Sequence, residues 1–142
     1  MRTQLGKVSL TCLLCGFMAG CNRGPAVAPV EGVVTQNGEI LVGAMVEFQP
    51  DHGTPSYGYT DENGHYELSY QVDRKGALLG EHNVRVKTAG EKTDPVTDVS
   101  RQVPETVPVQ YNEESDLYFE VVRGRNKFDI AIEGVRKRRG RR

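Results

Sequence analysis

The sequence predicts an all-β fold, a seven-stranded antiparallel β-sandwich that follows a separate N-terminal segment. Three observations support this prediction. Short runs alternate between apolar and polar residues, which is the period of a strand with one buried face. Turn-forming residues separate these runs about every eight to twelve positions, as is typical of sandwiches. No stretch shows the 3.6-residue apolar period of an amphipathic helix.

Residues 1–20 have the layout of a bacterial export signal. Arg2 and Lys7 make the start basic, and a mostly apolar stretch follows at residues 8–18. The stretch is short for a membrane-spanning helix, which needs about 20 apolar residues. Cys12 and Cys15 lie inside this stretch, so we expect them to be removed with the signal rather than to act in redox chemistry.

The segment Met18-Ala19-Gly20-Cys21 resembles the lipobox of bacterial lipoproteins, although leucine is usual where Met18 stands. The resemblance implies cleavage before Cys21 and attachment of lipid, including palmitate, to that cysteine. A lipid at the N-terminus anchors a protein in a membrane without spanning it. The protein is therefore expected in the cell envelope, facing the periplasm or the exterior. An ordinary signal peptide with an incidental cysteine is the alternative.

Composition divides the rest of the chain into three parts. Residues 21–29 contain Pro25 and Pro29 and predict a short extended tether. Residues 30–133 predict the sandwich domain, and residues 134–142 predict a disordered basic tail. Because the 3 cysteines all lie at or before Cys21, the domain is expected to fold without a disulfide.

The first two strands are predicted at Val30–Thr35 and Glu39–Gln49, joined by the turn Asn37-Gly38. Asn-Gly is a strong hairpin signal because both residues tolerate positive φ. Five further strands are predicted. Ser56–Thr60 and His65–Tyr70 are expected to form one hairpin, and Asp116–Val122 and Lys127–Ile132 another, with the strand His82–Thr88 between the two hairpins.

Alternation within these strands indicates which side chains face the core. The predicted core positions are Ala44, Val46, Phe48, Tyr66, Leu68, Val84, Val86, Phe128, Ile130 and Ile132. Pro50 is expected to end the second strand, since proline cannot donate to a β-ladder. The polar stretch Ala89–Thr106 predicts a long loop, and such loops are typically functional or mobile.

Four segments resemble the carboxypeptidase regulatory-like (transthyretin-like) domain: Val30-Glu-Gly-Val-Val-Thr, Gly43-Ala-Met-Val-Glu-Phe, Thr60-Asp-Glu-Asn-Gly-His-Tyr and Gly80-Glu-His-Asn-Val-Arg-Val. His82 departs from the family pattern, which usually has an aromatic residue there. With the lipobox and a later Pro108, Tyr111 and Asn112, the chain is similar to small lipoproteins of planctomycete bacteria. The resemblance covers roughly Pro29 to Ile132. It implies a prealbumin-like sandwich and little about activity.

No catalytic set is recognisable in the sequence. The serines lack a G-x-S-x-G elbow, and the C-terminal Tyr-Arg-Gly-Ser of the hydroxyisourate hydrolases, which share the transthyretin-like fold, is missing. We therefore expect a protein that is not an enzyme, with no catalytic residue and no cofactor.

Metal ligands are not expected either. Asp61-x-Asn63-Gly64 resembles the start of a calcium loop, but Val72 stands at the twelfth position, where a carboxylate is needed. A turn capped by Asp61 is favoured instead. The histidines, His52, His65 and His82, are widely spaced in the sequence, whereas zinc requires three or four convergent ligands.

The C-terminal tail holds six of the 18 basic residues: Arg136, Lys137, Arg138, Arg139, Arg141 and Arg142. All 19 acidic residues lie between Cys21 and the tail, where only ten basic residues are found. The tail is a candidate anion-binding segment for lipid head groups, polysaccharide or acidic proteins, since a basic cluster near an anionic membrane gains about 1 kcal/mol per charge. A simply solvated end is the alternative. Nucleic acid is not expected as a partner of an exported protein.

The sequence thus predicts a non-enzymatic, lipid-anchored envelope protein whose sandwich acts as a structural, adhesive or protein-interaction module. Strand edges and loops are its expected contact surfaces, because exposed edges pair readily with other strands. The alternative is a carbohydrate-binding module that uses Tyr57, Tyr59 and the long loop. Tyrosines more often fill a core that has no tryptophan and the rim of that core, with their hydroxyls in water, and this role is favoured here.

Overall fold

The computed structural model describes residues 24–94 and 96–134. Strands contain 51% of the residues and helix contains 3%, so the all-β prediction is confirmed. The strands are β1 (Val27–Ala28), β2 (Val30–Gln36), β3 (Glu39–Ile40), β4 (Met45–Pro50), β5 (Ser56–Tyr59), β6 (His65–Glu67), β7 (Ser69–Gln71), β8 (Arg74–Lys75), β9 (Ala77–Leu78), β10 (Gly80–Lys87), β11 (Gly90–Thr93), β12 (Ser100–Val103), β13 (Tyr118–Val121), β14 (Asn126–Lys127) and β15 (Ile130–Ile132). A 3-10 helix covers Val109–Tyr111.

The larger sheet contains six strands in the order β13-β10-β4-β5-β7-β8, and all its pairs are antiparallel. Its long central pair, β10 and β4, places Val84 opposite Phe48 and Val86 opposite Val46. These four side chains are fully buried, as their alternation predicts. Pro50 ends β4, also as predicted.

The second sheet is built around β2. This strand pairs antiparallel with β3 and β6, but parallel with β14 and β15. The parallel pairs correct the prediction of a purely antiparallel sandwich. A parallel partner requires a long crossover, which here is the whole chain from β3 to β13. Side-chain alternation has the same period in both kinds of pair, so it carries no information on strand direction.

The predicted hairpins have mixed outcomes. The first is confirmed: Asn37 and Gly38 have φ of 53° and 80°, and Thr35 pairs with Ile40. The last is wrong, because β13 pairs with β10 in the larger sheet whereas β14 and β15 pair with β2. The middle one is wrong in part: β5 pairs with β4 and β7, and β6 crosses to β2.

The strand count also differs from the prediction of seven. Fifteen strand segments are found among the described residues, because several predicted strands are interrupted where the chain passes between sheets. At one such passage the Asn126 side chain accepts from the Val122 N–H at 2.9 Å and donates to the Val122 carbonyl oxygen at 2.9 Å. This side chain closes the loop that carries the chain from β13 to β14.

The predicted long loop, Ala89–Thr106, contains a hairpin of its own. β11 pairs antiparallel with β12, with Gly90 opposite Val103 and Thr93 opposite Ser100. The prediction of one long loop is therefore wrong in part, because β11 and β12 are polar and mostly exposed and lack the apolar alternation that marks a half-buried strand. The predicted tether likewise includes β1, which pairs with β9.

The core lies between the two sheets and is joined by aromatic contacts. Phe48 makes edge contacts with Phe119 and Phe128, whose rings stack with centroids 4.5 Å apart. The buried apolar residues are Ala28, Val30, Val34, Ala44, Val46, Phe48, Tyr66, Leu68, Ala77, Val84, Val86, Val107, Val121, Ile130 and Ile132. This arrangement is consistent with a β-sandwich.

Several predictions fall outside the described residues. They are the signal peptide at 1–20, the lipidation site Cys21 and the basic tail Arg136–Arg142. Within residues 24–94 and 96–134, no helix has the length and apolar character needed to cross a bilayer.

Candidate functional site

The best candidate for a binding site is the outer face of the larger sheet, away from the core. Every second residue of β4, β5 and β10 points to this face. We define the tyrosine face as Met45, Glu47, Tyr57, Tyr59, Arg85 and Lys87.

Two aromatic rings stand out on this face. Tyr57 is 40% exposed and Tyr59 is 68% exposed. The prediction that the tyrosines fill the core and its rim is confirmed for Tyr66, which is fully buried, and wrong for these two, because the inner side of β5 has no room for a ring. A Cβ added to Gly58, which lies between them, would be 2.6 Å from the Glu67 carbonyl oxygen. Close packing of β5 on the β6–β7 passage therefore turns both tyrosines to solvent.

One carboxylate is shared by two cations beside the rings. Glu47 is only 8% exposed, and its oxygens lie 3.8 Å from Arg85 Nη1 and 3.9 Å from Lys87 Nζ. Partial burial and the nearby carboxylate of Glu47 raise the pKa of the Tyr57 hydroxyl. Since one negative charge faces two positive ones, these three residues carry a net positive charge.

A groove of about 400 Å³ runs beside Tyr59. The sheet side of this groove is formed by Met45, Tyr59 and Lys87, and the other side by β11 of the hairpin. Lys92 of β11 donates from Nζ to the Gly43 carbonyl oxygen at 2.7 Å, which holds the hairpin against the sheet. The volume is within the range of about 300–1,000 Å³ that is usual for ligand clefts.

The other residues considered from the sequence are not brought together. His65 Nε2 lies 3.6 Å from a Glu31 carboxylate oxygen, while His52 is exposed in a loop and His82 is buried. Within the described part of the chain, no group of three or more histidine, cysteine, aspartate or glutamate side chains is placed to hold a metal ion.

The turn at residues 61–64 has the predicted structural role. Asp61 Oδ1 accepts from the backbone N–H groups of Asn63 at 2.8 Å and His65 at 2.9 Å. Gly64 adopts a φ of 70°, which glycine tolerates without strain. Asp61 therefore caps its own turn, and the predicted turn is confirmed.

His82 occupies the core position where the family resemblance implies an aromatic residue. Its ring lies 5.7 Å from that of Phe48, and Nδ1 lies 3.0 Å from the Gly80 carbonyl oxygen. Among the described residues, the buried Nε2 has no hydrogen-bond partner. Burial lowers the pKa of His82 below its ordinary value, and the contact with Gly80 opposes this shift only in part.

This burial predicts a loss of stability in mild acid. The unfolded chain takes up a proton on His82 near its ordinary pKa of about 6.5, while the folded chain resists it, so stability falls as the pH drops below that value. His82→Phe is expected to reduce the difference in unfolding free energy between about pH 7.5 and about pH 5.5 by about 1 kcal/mol. Urea unfolding at both pH values measures this difference.

The exposed His52 provides the matched control for this prediction. His52→Gln is expected to leave the pH dependence as it is in the unchanged protein. An undiminished pH dependence in His82→Phe would show that the buried imidazole does not govern acid stability.

The sequence alternation already placed Glu47 and the two cations on the wet side of their strands. What it did not show is that they lie in adjacent rows with the tyrosines. Glu47 pairs with both Tyr57 and Arg85, and Met45 with both Tyr59 and Lys87. Only the register of three strands assembles these residues into one surface.

No protein-family model and no curated protein matches this chain. Among solved structures, the chain is similar to a 9R-lipoxygenase from Cyanothece PCC8801, with a TM-score of 0.37 and 18% sequence identity. The match covers 75% of this chain and 16% of the lipoxygenase chain.

This match contradicts the expectation that the protein is not an enzyme, because a lipoxygenase is an enzyme. At so low a TM-score and identity the match assigns no reaction to this chain. The resemblance to the carboxypeptidase regulatory-like domain stays a prediction.

Proposed function

We propose that this protein is a lipid-anchored module of the cell envelope that holds another envelope component with its tyrosine face. The observation that supports the proposal is the exposure of Tyr57 and Tyr59 side by side on a sheet, next to Arg85 and Lys87. Tyrosine and arginine are enriched at interfaces, where an amphipathic ring or a planar guanidinium contributes much contact area.

The membrane contact in this proposal rests on the sequence. A lipid on Cys21 tethers the domain, and the six basic residues at 136–142 add attraction to anionic head groups or polymers. Cys21→Ser is expected to move the protein from the membrane fraction to the soluble fraction. Metabolic labelling with a palmitate analogue checks this directly, because label that persists in the variant would rule out Cys21 as the lipidated residue.

The contact itself is tested by chemical cross-linking in the native envelope, followed by mass spectrometry. We expect a discrete set of cross-linked partners that is reduced at least about fivefold by the double change Tyr57→Ser and Tyr59→Ser, since hot-spot aromatics contribute about 2 kcal/mol or more.

Tyr118 supplies the matched control for the cross-linking. This tyrosine is 59% exposed and lies on β13, at the edge of the same sheet and three strands away from β5. Tyr118→Ser is expected to leave the cross-links intact. Loss of cross-links in that variant alone would assign the contact to the strand edge of β13 and overturn the role of the tyrosine face.

A further inference from the structure

We propose that the ligand of the tyrosine face is a carboxylated polysaccharide, with sugar rings packed on Tyr57 and Tyr59 and carboxylates bound by Arg85 and Lys87. This inference rests on the proposed function and names the chemical class that the same site recognises.

The spacing of the two tyrosines suits a polymer of rings. They are two positions apart on β5, which places them about 6.7 Å apart along the strand. Both rings are open to solvent, and the apolar face of a sugar packs on an aromatic ring much as a base does. The groove beside Tyr59 continues past Lys87 to β11, so that a chain longer than one sugar has room to extend.

The register places one cation in line with each ring. One row across the sheet reads Tyr57, Glu47 and Arg85, and the next reads Tyr59, Met45 and Lys87. Strands are about 4.8 Å apart, so the Cα of each cationic residue lies about 10 Å from the Cα of the tyrosine in its row. A polymer with one carboxylate on each sugar likewise combines a ring with a negative charge in each unit.

The two cations keep donors available for such a ligand. Their distances to Glu47, 3.8 and 3.9 Å, are longer than hydrogen bonds. Lys92 adds a third positive charge at the groove, and Glu91 adds a second negative one, so the face and groove together keep a net positive charge. Because acidic residues outnumber basic ones by nineteen to ten between Cys21 and the tail, this is a local positive patch on a negative body, and charge complementarity favours an anionic polymer there.

The test measures binding of the full chain, solubilised in detergent, to polygalacturonate and to its fully methyl-esterified form. The two polymers have the same rings, and only the first is charged. We expect retention on polygalacturonate alone in affinity electrophoresis. Tyr57→Ala and Tyr59→Ala are each expected to weaken it about threefold to tenfold. Lys87→Gln is expected to weaken it about threefold, and less as salt is added.

Matched controls distinguish binding at the tyrosine face from the general effect of removing an exposed ring or a positive charge. Tyr118→Ala removes another exposed ring, and Lys127→Gln removes a lysine outside the face that lies 3.3 Å from Asp129. Both are expected to bind as the unchanged protein does. Circular dichroism is used to check that every variant is folded.

The basic tail is the competing anion site and needs its own variant. Glutamine is placed at all six basic positions of residues 136–142 in the full chain. Dependence of binding on Tyr59 in this background supports the inference. Binding that disappears with the tail charges and ignores both tyrosines overturns it, as does equal binding of the esterified polymer.

The inference and the proposed function fail in different ways. Envelope cross-links that need Tyr57 and Tyr59, without any retention on polygalacturonate, overturn the polysaccharide and leave the face as a protein-binding surface. The absence of cross-links to any envelope component, polysaccharide included, overturns the proposed function itself.

Discussion

Glu105→Gln is expected to lower the free energy of unfolding by about 3 kcal/mol, because its carboxylate accepts from six donors among the residues that the structure describes. The donors are the N–H and hydroxyl of Thr88, the N–H groups of Ala89, Thr106 and Val107, and the side-chain amide of Asn112. The Thr88 hydroxyl is 2.7 Å from Oε1. These bonds fasten both ends of the β11–β12 hairpin to the segment that leads into the 3-10 helix.

Glutamine keeps the size of the side chain but points an NH2 group at donors. Some N–H groups then lose their acceptor, and each unsatisfied group carries a desolvation penalty. The measurement is urea unfolding followed by circular dichroism. The exposed Glu113 gives the matched control, and Glu113→Gln is expected to change stability by less than about 0.5 kcal/mol. A loss below about 1 kcal/mol in Glu105→Gln would contradict a structural role for this carboxylate.

The same carboxylate predicts a pH dependence. Burial raises the pKa of Glu105, but the hydrogen bonds from Thr88, Val107 and Ala89 outweigh burial and hold it below its ordinary value. A carboxylate with a depressed folded pKa contributes stability at neutral pH, and this contribution disappears as the pH falls below about 4. Glu105→Gln is expected to flatten stability in that acid range.

Gly32→Ala is expected to lower the free energy of unfolding by about 4 kcal/mol, or to prevent folding. A Cβ at this position would overlap the carbonyl oxygen of Phe128 and lie 2.6 Å from its carbonyl carbon. That oxygen is held in place because it accepts from Tyr66 Oη at 2.7 Å. The Phe128 N–H also donates to the Glu31 carbonyl oxygen at 2.9 Å. β2 therefore cannot accept a methyl group without moving away from the strands that it pairs with.

A comparison with Gly38→Ala distinguishes the effect of this steric crowding from the effect of backbone strain. Gly38 has a φ of 80° but open space around it, so alanine there is expected to cost about 1–2 kcal/mol. Gly32 lies in an ordinary strand, where alanine meets no strain of this kind. Equal losses in the two variants, measured by urea unfolding, would show that contact with Phe128 does not decide the role of Gly32.

The sequence by itself determined the features that depend on neighbouring residues. The Asn37-Gly38 turn, the Asp61 cap and the burial of Val84 and Val86 follow from local backbone preferences and from the period of two. Each is set within a few residues, so one sequence is enough to predict it. The all-β class follows from the same patterns.

Only the tertiary structure decided which strands meet and what each face presents. The parallel partners of β2, the exposure of Tyr59 and the bonds that gather on Glu105 join residues far apart in the chain. Alternation tells which residues share a side of a strand, but not which side is covered or by what. Those answers depend on packing between the sheets, as at Gly58, where the nearby backbone leaves room only on the outer face.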